Sequence, residues 1–313
     1  MIRMPGRSHR GPLPSLDREQ VTLRDLLKEY VDLLAVEIGG RSLDADQEGL
    51  AEAAKALEME LSRAGYNVDP QVFEVRGQPC ANLIVEIPGR RKPDEIVIVG
   101  AHYDSCGDLP AANDNASGVA ATLALARSFA GRGSPAGRSL RFVLFVNEEP
   151  PFFQTDAMGS RVYARRCRER GEQVVAMLSL ETIGYYSDEP GSQKYPFPLS
   201  AFYPSRGNFI GFVGNVASRG LVRRVVGSFR RHANFPSEGA ALPSRLPGVG
   251  WSDHWAFWQE GYPALMVTDT APFRDPHYHT PEDMPETLDF DRMARVVAGL
   301  DRVITDLVSD PVD

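Results

Sequence analysis

Lysine is scarce in this chain: its 313 residues hold four (Lys28, Lys55, Lys92, Lys194) among 34 basic side chains, against 42 acidic ones, for a formal net charge of −8. No basic stripe is left to neutralise successive phosphates, so nucleic acid is not an expected partner. Cysteine is also sparse. Cys80, Cys106 and Cys167 are an odd set without C-x-x-C spacing, which excludes a disulfide framework and a structural zinc knuckle. No run approaches the roughly 18 apolar residues of a membrane span, since VVAMLSL (174–180) is short and meets Glu181. The first twenty residues, MIRMPGRSHRGPLPSLDREQ, have no apolar block of the kind a secretory signal needs and read as a flexible arm. A cytoplasmic protein without membrane contact is expected, and nothing specifies its oligomeric state. Several enzyme signatures are missing too: H-E-x-x-H, G-x-S-x-G, G-x-x-x-x-G-K-[ST] and G-x-G-x-x-G, while GRGSPAG (131–137) has the wrong spacing for a phosphate loop.

What is present describes an ordinary globular chain, 42% hydrophobic and 24% charged. Its length permits two domains, but a sheet covered by helices on both faces often exceeds 250 residues as one unit. Apolar residues at helical spacing predict helices over 23–38 and 44–64, with Asp44 as the N-cap of the second. Strands are predicted at 71–75, 81–87 and 95–100, the last apolar throughout and therefore buried on both faces. Then follow a helix over 116–130, a strand at 141–146, a helix near 159–170 and the strand 174–180. Residues 186–208, rich in proline, read as a long loop. A strand at 209–213, a helix over 217–232, a short helix after Ser252, the strand ALMVT (264–268) and a closing helix over 290–308 complete the chain. Strand–helix alternation predicts an α/β fold with a largely parallel sheet.

Polar groups gather just beyond these strands. His102 and Asp104 share an i, i+2 direction in VGAHYDS, Asp114 precedes a helix in AANDNASG, and Glu148 and Glu149 follow RFVLFV with side chains directed differently. Glu181 abuts a buried strand, and His277 and His279 follow ALMVT in DPHYHTPED. Each has an ordinary explanation alone: a hydrogen-bonded His–Asp pair, a helix cap, a solvated Glu pair. Together, imidazoles and carboxylates at the carboxyl edge of one sheet are a poor set for packing and a good one for two divalent metals joined by a bridging Asp.

The ordered set AHYDS, ANDNASG, NEE, LETIGY, SDHWAFWQEGYPA and HYHTPED resembles the co-catalytic zinc aminopeptidases of metallopeptidase family 28 (clan MH), from about residue 45 to the C-terminus. The resemblance implies a single three-layer αβα domain over 21–313, preceded by the arm at 1–20, with a mixed, largely parallel central sheet of the zinc-exopeptidase (phosphorylase/hydrolase-like) kind. It implies two Zn2+ ions: His102, Asp114 and Glu181 on one, Asp114, Glu149 and His279 on the other. Glu148 then matches the general base, Asp104 the partner that holds the first histidine, and Tyr278 a tyrosine that stabilises the oxyanion in some members. Glu181 stands where many members have Asp, and 150–161 is longer than the usual link, so Phe152 and Phe153 are candidates for a specificity pocket or for packing under the loop. Ser252 or Asp253 is expected to cap a short helix, with His254 in its packing; Cys106 is set aside because a carboxylate-rich pair of sites needs no thiolate. The expected substrate is a peptide with a free N-terminus. The alternatives are a glutaminyl-cyclase-like single-zinc aminoacyltransferase and a non-catalytic peptidase-like binding module.

Overall fold

Apolar runs punctuated by glycine and proline become strands, and the computed structural model, which describes residues 3–309, joins eight of them in one sheet. Positions 1–2 of the expected arm and 310–313 of the expected domain lie outside the described residues. The strands are β1 (Asp69–Val75), β2 (Gln78–Ile87), β3 (Lys92–His102), β4 (Arg138–Phe145), β5 (Gln173–Glu181), β6 (Ile210–Asn215), β7 (Ser237–Leu242) and β8 (Ala264–Thr268). Their order is β1-β2-β4-β3-β5-β8-β6-β7. The central four, β4-β3-β5-β8, run parallel, while β2 and β6 pair antiparallel to β4 and β8. Alternation along each strand splits the core in two. Val97, Val99 and Ala101 of β3 with Leu140, Phe142 and Leu144 of β4 join one buried cluster, and Ile96, Ile98, Val143 and Phe145 join the other.

Helices α1 (Arg18–Asp32), α2 (Gln47–Arg63) and α3 (Gly118–Ala130) cover the first face, α4 (Gly159–Glu169) the second. Helix α5 (Arg219–His232) and the closing α7 (Phe290–Val308) join the first layer, and the short α6 (His254–Gln259) joins the second. This is the expected three-layer αβα architecture. Helix α7 buries Met293, Val296, Val297, Leu300, Val303, Ile304 and Leu307, the i, i+3, i+4 stripe of an amphipathic helix. The chain passes from β3 through α3 to β4 on one side, then through α4 back across to β5 on the other. That reversal places the carboxyl ends of β3, β4 and β5 around a crevice of the kind where open α/β sheets hold ligands.

Three local expectations change. Asp46, not Asp44, caps α2, accepting from Gly49 N at 2.9 Å, while Asp44 pairs with Arg76. Helix α1 starts within the arm, at a capping box formed by Asp17 and Gln20, and the segment before it lies along α5 and β7: Arg223 donates to the Arg3 carbonyl and Ser8 Oγ accepts from Ser237 N. The sequence reading has no counterpart of β7. SEGAAL contains no β-branched residue, and its pairing is decided by the neighbouring β6 rather than by its own propensity. Among the described residues no helix is long and apolar enough to cross a membrane.

Candidate metal centre

The Asp114 carboxylate lies between two imidazoles. Its Oδ1 is 3.3 Å from His102 Nε2 and its Oδ2 is 3.0 Å from His279 Nε2. Glu181 Oε2 is 3.3 Å from the His102 nitrogen, and Glu149 Oε1 is 3.3 Å from that of His279. Glu148 turns the other way from its neighbour, its Oε2 3.9 Å from His102 Nε2. One ligand atom each from His102, Asp114 and Glu181 falls within 4.8 Å of the other two. Four of these atoms, His102 Nε2, Asp114 Oδ1, Glu149 Oε1 and His279 Nε2, are buried and accept or donate no hydrogen bond. Buried polar atoms are nearly always paired, so four orphans facing one another fit a cation between them. Imidazole nitrogen and carboxylate oxygen are the donors that zinc takes.

Without a cation, protons have to balance the charge. Burial raises Glu148 well above the usual carboxylate range, and burial with the nearby Asp114 pushes Glu149 up to about 7. Burial alone lowers an imidazole pKa. It is outweighed for His102 by the carboxylates of Glu181 and Glu148, and for His279, raised to about 10, by Asp114 and Glu149. Asp114, against its burial, is held low by the two imidazoles beside its carboxylate.

Backbone contacts hold the carboxylates in place. Asp104 sits beside His102, whose Nδ1 is 3.2 Å from its main-chain carbonyl and 3.6 Å from its carboxylate, and the two carboxylate oxygens accept from Glu148 N and Glu149 N at 3.0 Å each. Asp283 does the same for the bridge, accepting from Asn113 N (2.7 Å) and Asp114 N (3.1 Å). Asn115, not Asp114, closes the start of α3: its Oδ1 accepts from Gly118 N and Thr182 N, and its Nδ2 donates to the Leu180 carbonyl. Gly118 permits this approach, since a Cβ there would lie 2.3 Å from the Leu180 oxygen. Fully buried Arg41 ties the loop below to the sheet, donating to the carbonyls of Tyr103, Pro110 and Ala111. Ser252 caps nothing. Its hydroxyl donates to Glu181 Oε2 at 2.7 Å.

A family model, Peptidase family M28, matches residues 82–303, which include every residue of this cluster. The chain belongs to peptidase family M28. Zinc is typical of M28 members. An uncharacterised protein of Escherichia coli K12, YfbL, is 36% identical over 297 residues, covering 92% of this chain and 89% of that one. A probable leucine aminopeptidase of Trichophyton verrucosum is 29% identical over 234 residues, 70% of this chain, which spans only 55% of that protein. LapB from Legionella pneumophila superposes with a TM-score of 0.72 at 19% identity, over 97% of this chain and 79% of that one. A glutaminyl cyclase from Fimbriiglobus ruber does so at 0.64 and 21%, over 95% and 97%. These two structures speak to the shared fold.

Beside the M28 cluster lies an apolar pocket. Glu181, Thr268, Gly211 and Glu238 occupy one register row across β5, β8, β6 and β7, and Gly211 leaves the floor between them without a side chain. Tyr195 and Leu199 of the 186–208 loop, Trp251, Met266 and Phe273 wall it. Tyr278 also faces it, with its ring stacked on His279 at 3.9 Å between centroids. Phe152 does not. It is buried under Arg76, whose guanidinium is 5.0 Å from its ring, in a groove beside β1. The specificity role weighed for Phe152 therefore falls, because the long link turns toward the sheet edge.

Other sequence candidates are structural. His254 bonds the Val249 carbonyl through Nε2 and packs edge-on against Trp258, while His277 bonds Asp275. Asp253 makes no cap; it is fully buried, and burial pushes its carboxyl up to about 7. The sequence reading passed over Asp283 and Ser252 as supports of the site, although both stand inside motifs that it quoted.

Proposed function

We propose that this chain is a metal-dependent aminopeptidase that removes the N-terminal residue from peptides with a free α-amine at a pair of zinc ions. The observation that carries this is Asp114 flanked by His102 and His279, one imidazole on each carboxylate oxygen. Such an arrangement makes two cation positions sharing one bridge: His102, Asp114 and Glu181 would hold one ion, and Asp114, Glu149 and His279 the other. Bound there, divalent zinc supplies Lewis acidity toward the scissile carbonyl and lowers the pKa of the attacking water.

The chain's own groups do the rest. Glu148, near both positions yet outside the bridge, is the general base: its carboxylate takes the proton of the attacking water and passes it to the departing amine. The Tyr278 hydroxyl would donate toward the developing oxyanion, a role supported by its ring lining the pocket and stacking on His279. Carboxylate oxygens of Glu148 and Glu181 favour a substrate α-ammonium, which fixes the first peptide bond over the site and makes positioning part of the catalysis. The apolar pocket next to Glu181 takes the side chain of the N-terminal residue.

Two measurements test this. Elemental analysis of zinc-saturated protein is expected to give two ions per chain, whereas one would favour the glutaminyl-cyclase-like transferase and none the binding module. Peptides with a free N-terminus are expected to shorten one residue at a time while their N-acetylated partners resist, because acetylation removes the recognised charge. Equal cleavage of both, or loss from the C-terminal end, sinks the aminopeptidase reading.

A further inference from the structure

One thiol lies at the edge of this cluster. Cys106 follows His102 by four residues, in the turn after β3, and is partly exposed, whereas Cys80 and Cys167 are buried. Its sulfur lies within 4.8 Å of ligand atoms of both Glu149 and His279. It also lines, with Asp114, His279 and Asp283, a small cavity bordered by Leu109, Ala111 and Thr280. Glu149 is 4% exposed, and its orphaned Oε1 points at the equally orphaned His279 Nε2. A buried carboxylate, an imidazole and a thiol thus converge from three separate chain segments on one point.

We propose that Cys106 is a further protein ligand of the ion held by Asp114, Glu149 and His279, an inference that rests on the metal-centre reading above. Binding converts the thiol to a thiolate: the proton leaves to solvent water and a sulfur lone pair forms the bond to the cation. Bonds of roughly 2.3 Å to sulfur and 2.0–2.2 Å to nitrogen or oxygen would set neighbouring ligand atoms roughly 3.6 Å apart, and a five-coordinate ion would still have a position for the attacking water. The present spans among Cys106, Glu149 and His279, all within 4.8 Å, exceed that value by no more than about 1.2 Å. The two positions then differ in kind. The His102 position has only imidazole and carboxylate, while the His279 position carries a soft donor that favours zinc or cobalt over magnesium, calcium or manganese. In the sequence the wealth of carboxylates argues against this thiol; the fold brings the sulfur to the ligands regardless.

The test uses the full metal-free chain titrated with Co2+, and separately with Zn2+. Wild type is expected to bind two Co2+ ions, one of them raising an intense near-ultraviolet sulfur-to-cobalt charge-transfer band. Cys106→Ser is expected to lose that band while still binding at the His102 position. In wild type, Zn2+ is expected to slow iodoacetamide labelling of Cys106, followed by peptide mass, an arm that needs no variant to fold. Cobalt binding with no such band, a band retained in Cys106→Ser, or labelling unaffected by zinc overturns Cys106 as a ligand and leaves the metal centre standing. No ion bound to wild type overturns both.

Discussion

Glu148 and Glu149 are adjacent in sequence and face different imidazoles, so their substitutions are expected to separate. On the proposed reading, Glu148→Gln is expected to keep the fold and the bound metal and to lose on the order of 10²–10⁴ in turnover, because only proton transfer would be removed. Near-normal turnover in that variant would mean that Glu148 is not the base. His102→Ala and His279→Ala each remove the neutral ligand of one position and are expected to lower bound metal; full zinc content in either variant overturns the ligand set. Asp283→Ala acts through the backbone, stranding the N–H groups of Asn113 and Asp114 at a cost of about 1–3 kcal/mol each, to be read from the urea midpoint. The charged cluster was legible in the sequence because carboxylates and imidazoles abutting apolar strands have few structural uses. Asp283 and Ser252 were not, because their partners, the amides of Asn113 and Asp114 and the carboxylate of Glu181, come together only through the fold.

Helices and strands were read well where packing and propensity agree. β8 (Ala264–Thr268) and α7 (Phe290–Val308) end where the apolar pattern ends. The misreadings lie where a neighbour decides: β7 is recruited by β6, and the N-cap of α2 falls to the aspartate whose oxygen meets Gly49 N rather than to the one two residues earlier. That difference is measurable. Asp46→Ala is expected to cost about 1 kcal/mol as a lost cap, and Asp44→Ala no more than about 0.5 kcal/mol, since it breaks only an exposed pair with Arg76. A larger loss for Asp44→Ala than for Asp46→Ala in chemical denaturation would return the cap to Asp44. The pocket wall follows the same logic: proline content marks 186–208 as a loop, but only the register row from Glu181 to Glu238 gives that loop a floor to cover.

At the scale of the whole molecule, the switch from β3 to β4 on one side and β5 on the other collects Asp104, Asp114, Glu148, Glu149 and Glu181 at one edge, all at most 7% exposed. A fold that buries five carboxylates needs cations, and in the metal-free protein the imidazoles supply them only by taking up protons. Metal binding is therefore expected to couple to global stability, since the ligands meet only in the folded chain. An ion present at 100 times its Kd adds about 2.7 kcal/mol. With an unfolding entropy of about 2.1 cal/mol/K per residue over the chain, that corresponds to a Tm rise of about 4 °C for each position filled. Thermal unfolding of the zinc-saturated protein with and without a chelator measures it. The double variant His102→Ala/His279→Ala should unfold at one temperature in both conditions, because neither position then keeps its imidazole. A chelator effect of equal size in wild type and double variant would place the stabilising metal elsewhere. A drop of about 4 °C in wild type that each single variant leaves unchanged would mean that only one position is filled, and that either imidazole can complete it.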